Sequence, residues 1–374
     1  MRRGTLLLAL GCLWVARPAD AQEWKPAKGP LMTRWAKDVT PERVLPEYPR
    51  PQMQRKAWQN LNGLWQLAFA KEGEEAPVGK ELPERILVPF PVESALSGVM
   101  KRADRLWYRR HFTVPKDWAG QRLLLHFGAV DWEATVWVNG KKLGSHKGGY
   151  DGFTFDVTDA LKADGKQELI VGAWDPTDGG TQPRGKQVRN PEGIYYTPTT
   201  GIWQTVWLEP VPQASVEGLK IVPDVDGKRV RLTVRGRGTG PEDTVLLVVT
   251  DGGRRVVTLR AKVGAAISIP CPSPKLWSPE SPFLYDLRVE LEHGGKVVDA
   301  VDSYFAMRKI EVGKDDGGAT RLLLNGKFVF QVGPLDQGFW PDGLYTAPTD
   351  AALKYDIEIT KKLGFNMTRK HVKV

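Results

Sequence analysis

Three side chains suited to holding a sugar fall between positions 336 and 340: Asp336, Gln337 and Trp340. A carboxylate and an amide exchange hydrogen bonds with hydroxyl groups, and an indole offers a flat apolar face on which a pyranose ring stacks. Further along, Arg369 and His371 close a run of charged and apolar residues. A guanidinium fork fixed beside a carboxylate keeps it ionised at neutral pH. Arg369 carries the group for this, with a plain structural ion pair as the alternative. Asp175 follows the run 168–174 and opens a Gly- and Pro-rich loop, 175–189. Such a loop is able to carry an acid toward a ligand. Asp224 and Asp226 before Gly227 make a hairpin turn rather than a calcium loop. The sequence has no metal-ligand spacing and no phosphate-cradling glycine loop, so no metal and no cofactor is expected.

These residues need elements to position them, and most of the elements are β. Five hairpin dipeptides, Asn139-Gly140, Asp226-Gly227, Asp251-Gly252, Gly294-Gly295 and Asn325-Gly326, separate short alternating apolar runs. Strands are expected at 123–127, 134–138, 168–174 and 204–208. Trp203 and Trp207 are expected in the core, and Gly148-Gly149-Tyr150 at a close backbone approach. The first β region, 22–212, suits a jelly roll, with Pro210-Val211-Pro212 as its exit linker. Residues 213–310 carry about seven strand candidates at regular spacing, the pattern of an immunoglobulin-like sandwich without its disulfide. Past Lys309 the pattern changes. Residues 328–333 form a near-continuous apolar run, expected to be a strand buried on both faces. Thr349 then caps a helix that ends at Gly364, and 365–369 is a second strand. Strand, helix and strand make one βαβ unit, at 311–374.

Composition narrows the class. Lys and Arg outnumber Asp and Glu by 53 to 44, hydrophobic residues make up 41%, and there are 14 tryptophans. The basic residues are scattered, so a nucleic-acid stripe is not expected. Residues 1–21 read as a secretory signal: Arg2-Arg3, an apolar stretch too short to span a bilayer, and Ala19-Asp20-Ala21 before the cleavage point. Removing them takes three arginines and one aspartate, so the net charge of +9 becomes +7. The expected location is secreted or periplasmic, with no membrane contact after cleavage. A lipid anchor on Cys12 is the lesser alternative. Cys271 would then be the only cysteine, and no intrachain disulfide is possible.

The order of these parts resembles glycoside hydrolase family 2, the β-galactosidases, β-glucuronidases and β-mannosidases. The resemblance runs from about Trp58 to Val374. It is carried by Leu61-Asn62-Gly63-Leu64-Trp65, Leu106-Trp107-Tyr108-Arg109-Arg110, Val138-Asn139-Gly140, Gly148-Gly149-Tyr150, Thr200-Gly201-Ile202-Trp203-Gln204, the junction 305–310, Leu324-Asn325-Gly326-Lys327, and Gly364-Phe365-Asn366 with Arg369. It implies a mainly β fold: a jelly-roll sugar-binding domain (22–212), an immunoglobulin-like sandwich (213–310), and the first βαβ unit of an incomplete (β/α)8 barrel (311–374). It also implies a carbohydrate partner, a β-glycoside or an oligosaccharide from plant or microbial polysaccharide, and leaves a homo-oligomer open. By resemblance Arg369, at the end of barrel strand two, orients the nucleophilic carboxylate. His371 stands one residue closer to that arginine than the family pattern has it. Residues 333–340 replace the family's Asn-x-His-Glu type of run, which leaves the sugar undetermined.

A retaining glycosidase needs an acid/base and a nucleophilic carboxylate about 5–5.5 Å apart. The family's acid/base Glu follows an Asn, and none of the six asparagines here precedes Glu. With two barrel strands of eight in 311–374, neither catalytic Glu is expected in this chain. The reading is the N-terminal part of a secreted retaining β-glycosidase, inactive alone. A non-catalytic carbohydrate-binding protein is the alternative. A plain adhesion sandwich accounts for neither Arg369 nor the βαβ unit.

Overall fold

The computed structural model describes residues 24–163 and 165–373. The expected signal segment, its cleavage point after Ala21 and Cys12 lie outside them. The fold is mainly β. The first sandwich pairs a six-stranded antiparallel sheet with a four-stranded one. The larger sheet runs, in spatial order, Glu84–Val88, Gly63–Phe69, Arg105–Phe112, Gln167–Trp174, Glu133–Val138 and Lys141–Lys147. The smaller runs Gln59–Asn60, Val206–Val211, Arg122–Phe127 and Phe153–Asp156. Alternation sends Ala134, Val136 and Val138 inward to Leu169, Val171, Leu125 and Phe127, while Glu133, Thr135 and Trp137 face out. Trp203 and Trp207 are buried, as expected. Two expectations fail here. The strand foreseen at 204–208 is Val206–Val211, and Pro210 and Val211 are its buried end rather than a linker. Pro210 pairs with Leu123 there, next to the strand's last residue; proline is tolerated at such places because its missing N–H costs little where the ladder ends.

The second sandwich has the seven strands foreseen. Ser215–Asp224, Arg229–Arg237 and Ile267–Pro270 face Arg254–Lys262, Thr244–Asp251, Tyr285–His293 and Lys296–Phe305. All five expected dipeptides sit at hairpin turns; Asn139 and Gly140 have φ of 51° and 81°, the pair of positive values a tight hairpin requires. The segment before the first sandwich packs on the second: Met53 lies in its core, and Gln54 bridges to Asp302.

Beyond it, Ile310–Lys314, Thr320–Leu324 and Lys327–Phe328 form a small antiparallel sheet. The apolar run 328–333 is not a buried strand. Phe328 is 43% exposed and Phe330 72%. Asn325-Gly326, with φ of 53° and 78°, turns the chain back on itself, so Lys327–Phe328 completes a hairpin instead of opening a barrel. Past it, the Asn366 amide takes ladder positions: its Nδ2 donates to Phe330 O at 2.8 Å, and Val332 N donates to its Oδ1 at 3.1 Å. The βαβ unit exists but is shifted. Leu335–Asp336 pairs in parallel with Arg369–Lys370, not 328–333 with 365–369. The helix Asp350–Lys362 connects them. Thr349 Oγ1 accepts from Ala352 N, and Gly364 follows at φ 87°, both as foreseen. Its apolar face is largely open, with only Ala352 buried. Among the described residues no helix is long and apolar enough to cross a membrane.

Candidate functional site

The parallel pair places a set of polar side chains at one edge. Three backbone bonds hold the register: Asn366 N to Val332 O, Arg369 N to Pro334 O and His371 N to Asp336 O. Asp336, Gln337, Lys370 and His371 thereby stand together at the C-terminal strand ends, where barrel enzymes build their sites. Asp336 accepts from Lys370 Nζ and, at 2.7 Å, from Gly338 N. Burial pushes this carboxyl up, but Lys370, Gly338 N and the charge of Lys373 outweigh it and hold it below its ordinary value. Gln337 Oε1 and His371 Nδ1 are buried without a hydrogen-bond partner among the described residues. Arg369 is exposed, and Lys370 rather than Arg369 takes the carboxylate of Asp336. Trp340 stands apart from the strand ends: its half-buried ring meets Trp35 edge-on at 6.2 Å.

A loop of the first sandwich closes over this edge. Tyr196 stacks on Phe339 at 3.9 Å and 7°, and Phe339 leans on Tyr345 at 4.4 Å. Tyr345 meets Trp203, whose Nε1 donates to Gly149 O at 2.7 Å. A Cβ on Gly149 would collide with the Asp131 carboxylate, so the close approach foreseen there is real. Leu96 N donates to Asp342 O at 2.9 Å, and Thr346 Oγ1 lies 2.6 Å from Trp203 O. Residues 339–347 are thus docked on the first sandwich.

Lys373 was not foreseen. Its Nζ lies 3.4 Å from the carbonyls of Gly338 and Tyr345 and within 5.0 Å of the Trp203 and Tyr345 ring centres. Burial and then the charge of Lys370 bring its ammonium down to about 8. A lysine two residues past a histidine carries no signal of this in the sequence, because the rings and carbonyls that bury it come from distant segments.

Asp175 does not reach the strand-end edge. It is 2% exposed, accepts from Thr177 N at 2.7 Å and Thr200 Oγ1 at 3.1 Å, and shares a buried region with Asp131 and Glu93. None of the three makes an ion pair with a described residue. Burial pushes Asp175 and Asp131 up; the charge of Asp175 adds to the rise of Asp131, and that of Asp104 to the rise of Asp175. Burial likewise raises Glu93 to about 8, although Thr200 N donates to it at 3.0 Å. Gln187 links this group to the loop above the edge, donating to Asp131 at 3.2 Å. Asp131 and Glu93 carried no warning in the sequence, since neither sits in a motif. Among the described residues no cluster of three His, Cys, Asp or Glu is arranged to hold a metal.

Residues 77–196 match the family model for the sugar binding domain of glycosyl hydrolases family 2, and residues 214–308 match a second model of the same family. Together they take in more than half of the chain. The chain belongs to glycosyl hydrolase family 2. A β-galactosidase of Thermoanaerobacter pseudethanolicus is 29% identical over 279 residues, 70% of this chain and 36% of its own length. A β-glucuronidase of Paenibacillus borealis is 25% identical over 307 residues, 76% of this chain and 50% of its own. The family 2 chain thus spans between about a third and a half of these curated relatives. A solved β-glucuronidase from Ruminococcus gnavus, in complex with a C6-substituted uronic isofagomine, superposes with a TM-score of 0.72 at 21% identity. It covers 87% of this chain and 57% of its own. That likeness shows the architecture: sandwich, sandwich, and the opening of a barrel.

Proposed function

We propose that this chain serves the hydrolysis of β-glycosides, as its sugar-binding and barrel-opening part, and that it turns over no glycoside by itself. The observation that supports the reading most is the edge at which Asp336, Gln337, Lys370 and His371 meet beneath the loop of the first sandwich, with the exposed Arg369 on the same strand. Asp336 is held ionised there by Lys370. The three other carboxylates considered, Glu93, Asp131 and Asp175, are buried and drawn toward their neutral forms, unsuited to flanking a glycosidic bond. Arg369, whose guanidinium is exposed, is assigned to orienting a carboxylate supplied from elsewhere, and Trp340 to the outer wall. Relatives that are β-galactosidases and β-glucuronidases support a β-linked substrate. The chain enters the secretory path with cleavage after Ala21, and its structural units meet near residues 212 and 310.

Two measurements test this. Purified protein incubated with nitrophenyl β-galactoside, β-glucuronide and β-mannoside should release no nitrophenol; release abolished by Asp336→Asn would place the chemistry within this chain. Titration with D-galactose and D-glucuronic acid, followed by the ring resonances of His371, should shift them with one sugar and lose the shift in Arg369→Ala. No shift with either sugar sinks the assignment of the edge.

A further inference from the structure

The outward face of the six-stranded sheet carries a groove that the barrel edge does not use. Three residues of its central strand, Ile170, Gly172 and Trp174, face outward in alternate positions. Their register partners on one side are Arg109, Trp107 and Arg105, and on the other Trp137, Thr135 and Glu133. Trp107 lies across Gly172, where a Cβ would stand 2.5 Å from its ring. It meets Trp137 at 5.5 Å. At the far end Arg105 sits 4.9 Å over Trp174. Tryptophans therefore line the floor and both ends of this stretch.

The groove has a lobe of about 320 Å³ between Trp137 and Trp174, continuing into one of about 670 Å³ between Trp174 and Arg189. Both volumes fall in the range of ligand sites. The strand positions of Trp137 and Glu133, the latter opposite Trp174, are on the order of 13 Å apart along the sheet, longer than one pyranose ring. The rim is charged but balanced. Lys71, Arg102, Arg105 and Arg189 face Glu72, Glu74, Glu133 and Asp104, with Arg189 paired to Asp104 at 2.8 Å. A polyanion or polycation gains nothing from such a rim. A neutral chain of hydroxyls, which both donate and accept, matches it, and its apolar ring faces match the indoles.

We propose that this face is a non-catalytic binding groove for a neutral β-linked oligosaccharide, stacked on Trp137 and Trp174. The groove runs past Trp174 to Pro176 and Arg189, on the loop that reaches the barrel edge, so a bound chain would lie along the approach to that edge. The choice of a saccharide rests on the glycoside reading above; the location of the groove does not.

The test is calorimetric titration of the whole protein with cellohexaose, xylohexaose and mannohexaose, and with a hexamer of galacturonic acid. At least one neutral hexasaccharide should bind. Trp174→Ala and Trp137→Ala should each weaken it by on the order of tenfold or more. Thr135→Arg blocks the middle of the groove without removing a packed ring and should abolish binding if an alanine variant fails to fold. Arg369→Ala should leave affinity unchanged. Binding that survives Thr135→Arg, or that is lost only in Arg369→Ala, overturns the groove and leaves the barrel edge standing. Binding of the galacturonate hexamer alone, or of no hexasaccharide, overturns it as well.

Discussion

Two buried carboxylate sites in the first sandwich have opposite characters. Glu209 is fully buried, with Arg50 Nη2 at 2.8 Å, His126 Nε2 at 3.2 Å, Arg55 Nε at 3.6 Å and the Tyr48 hydroxyl against it. Burial pushes its carboxyl up, but His126, Arg50 and Tyr48 overcome this and bring it to about 2. Burial pushes His126 below its own ordinary value, so the permanent positive charge facing Glu209 is that of the arginines. Glu93, nearly as buried, has a backbone N–H and no ion-pair partner among the described residues, and rises to about 8. The first site fastens the two sandwiches together, since Arg55 also holds Asp299 and donates to Val216 O at 2.7 Å. Among the described residues the second ties only to Thr200 of its own sandwich. Where the surroundings offer charge, a buried acid ties elements together; where they offer only neutral donors, it is drawn toward its neutral form.

Removing one partner of a buried ion pair strands the other. Arg55→Ala should therefore have the largest effect, a loss of about 3–5 kcal/mol in urea unfolding. A loss no larger than that of an exposed arginine would erase the contrast. Glu209 has a folded value of about 2 against 4.5 unfolded. Its contribution is full above 4.5 and is lost as pH falls toward 2, about 3 kcal/mol in all. Glu209→Gln should flatten the acid limb of a stability–pH curve. Glu93 works in the other direction. Its folded value of about 8 exceeds the ordinary 4.5, so its contribution is full below 4.5 and lost as pH rises through 8, by on the order of 3 kcal/mol at neutral pH. Glu93→Gln keeps the acceptor for Thr200 N and should gain over the parent protein as pH rises from 5 to 8. An unchanging difference in melting temperature would show that Glu93 titrates normally. Arg50→Met should be mildest, about 1 kcal/mol, because its side chain is 27% exposed and Arg55 remains.

The sandwiches were legible because their information is local. Asn139-Gly140 dictates its own turn, and alternation along 134–138 decides which face is buried. Thr349 and Gly364 mark the helix for the same reason. The apolar run 328–333 misled because its content fits a buried strand, while its fate depends on Asn366, whose amide occupies the ladder from a distance. Pro210 misled as a linker signal because only pairing shows that its missing N–H costs nothing. At the strand-end edge, Asp336, Gln337 and His371 were readable from residue type, whereas Lys373 and the group of Glu93, Asp131 and Asp175 arise only from contacts between remote segments. Asp175 was singled out for its place after a strand, and the structure gives it a buried position that no loop composition reveals.

The docking of residues 339–347 on the first sandwich also sets a timetable for synthesis. Trp203 and Thr346, whose contact seals that mouth, are 143 residues apart. At ribosomal rates of about 5–20 residues per second, roughly 7 to 30 seconds separate the emergence of the two. Once Val206–Val211 has followed Trp203, the first sandwich has all its own strands, yet for the rest of that interval Trp203 and the Pro89 carbonyl lack the cover that Thr346 brings. A nascent chain paused between the two codons would offer that open aromatic mouth to chaperones, and the second sandwich would mature before the first is closed.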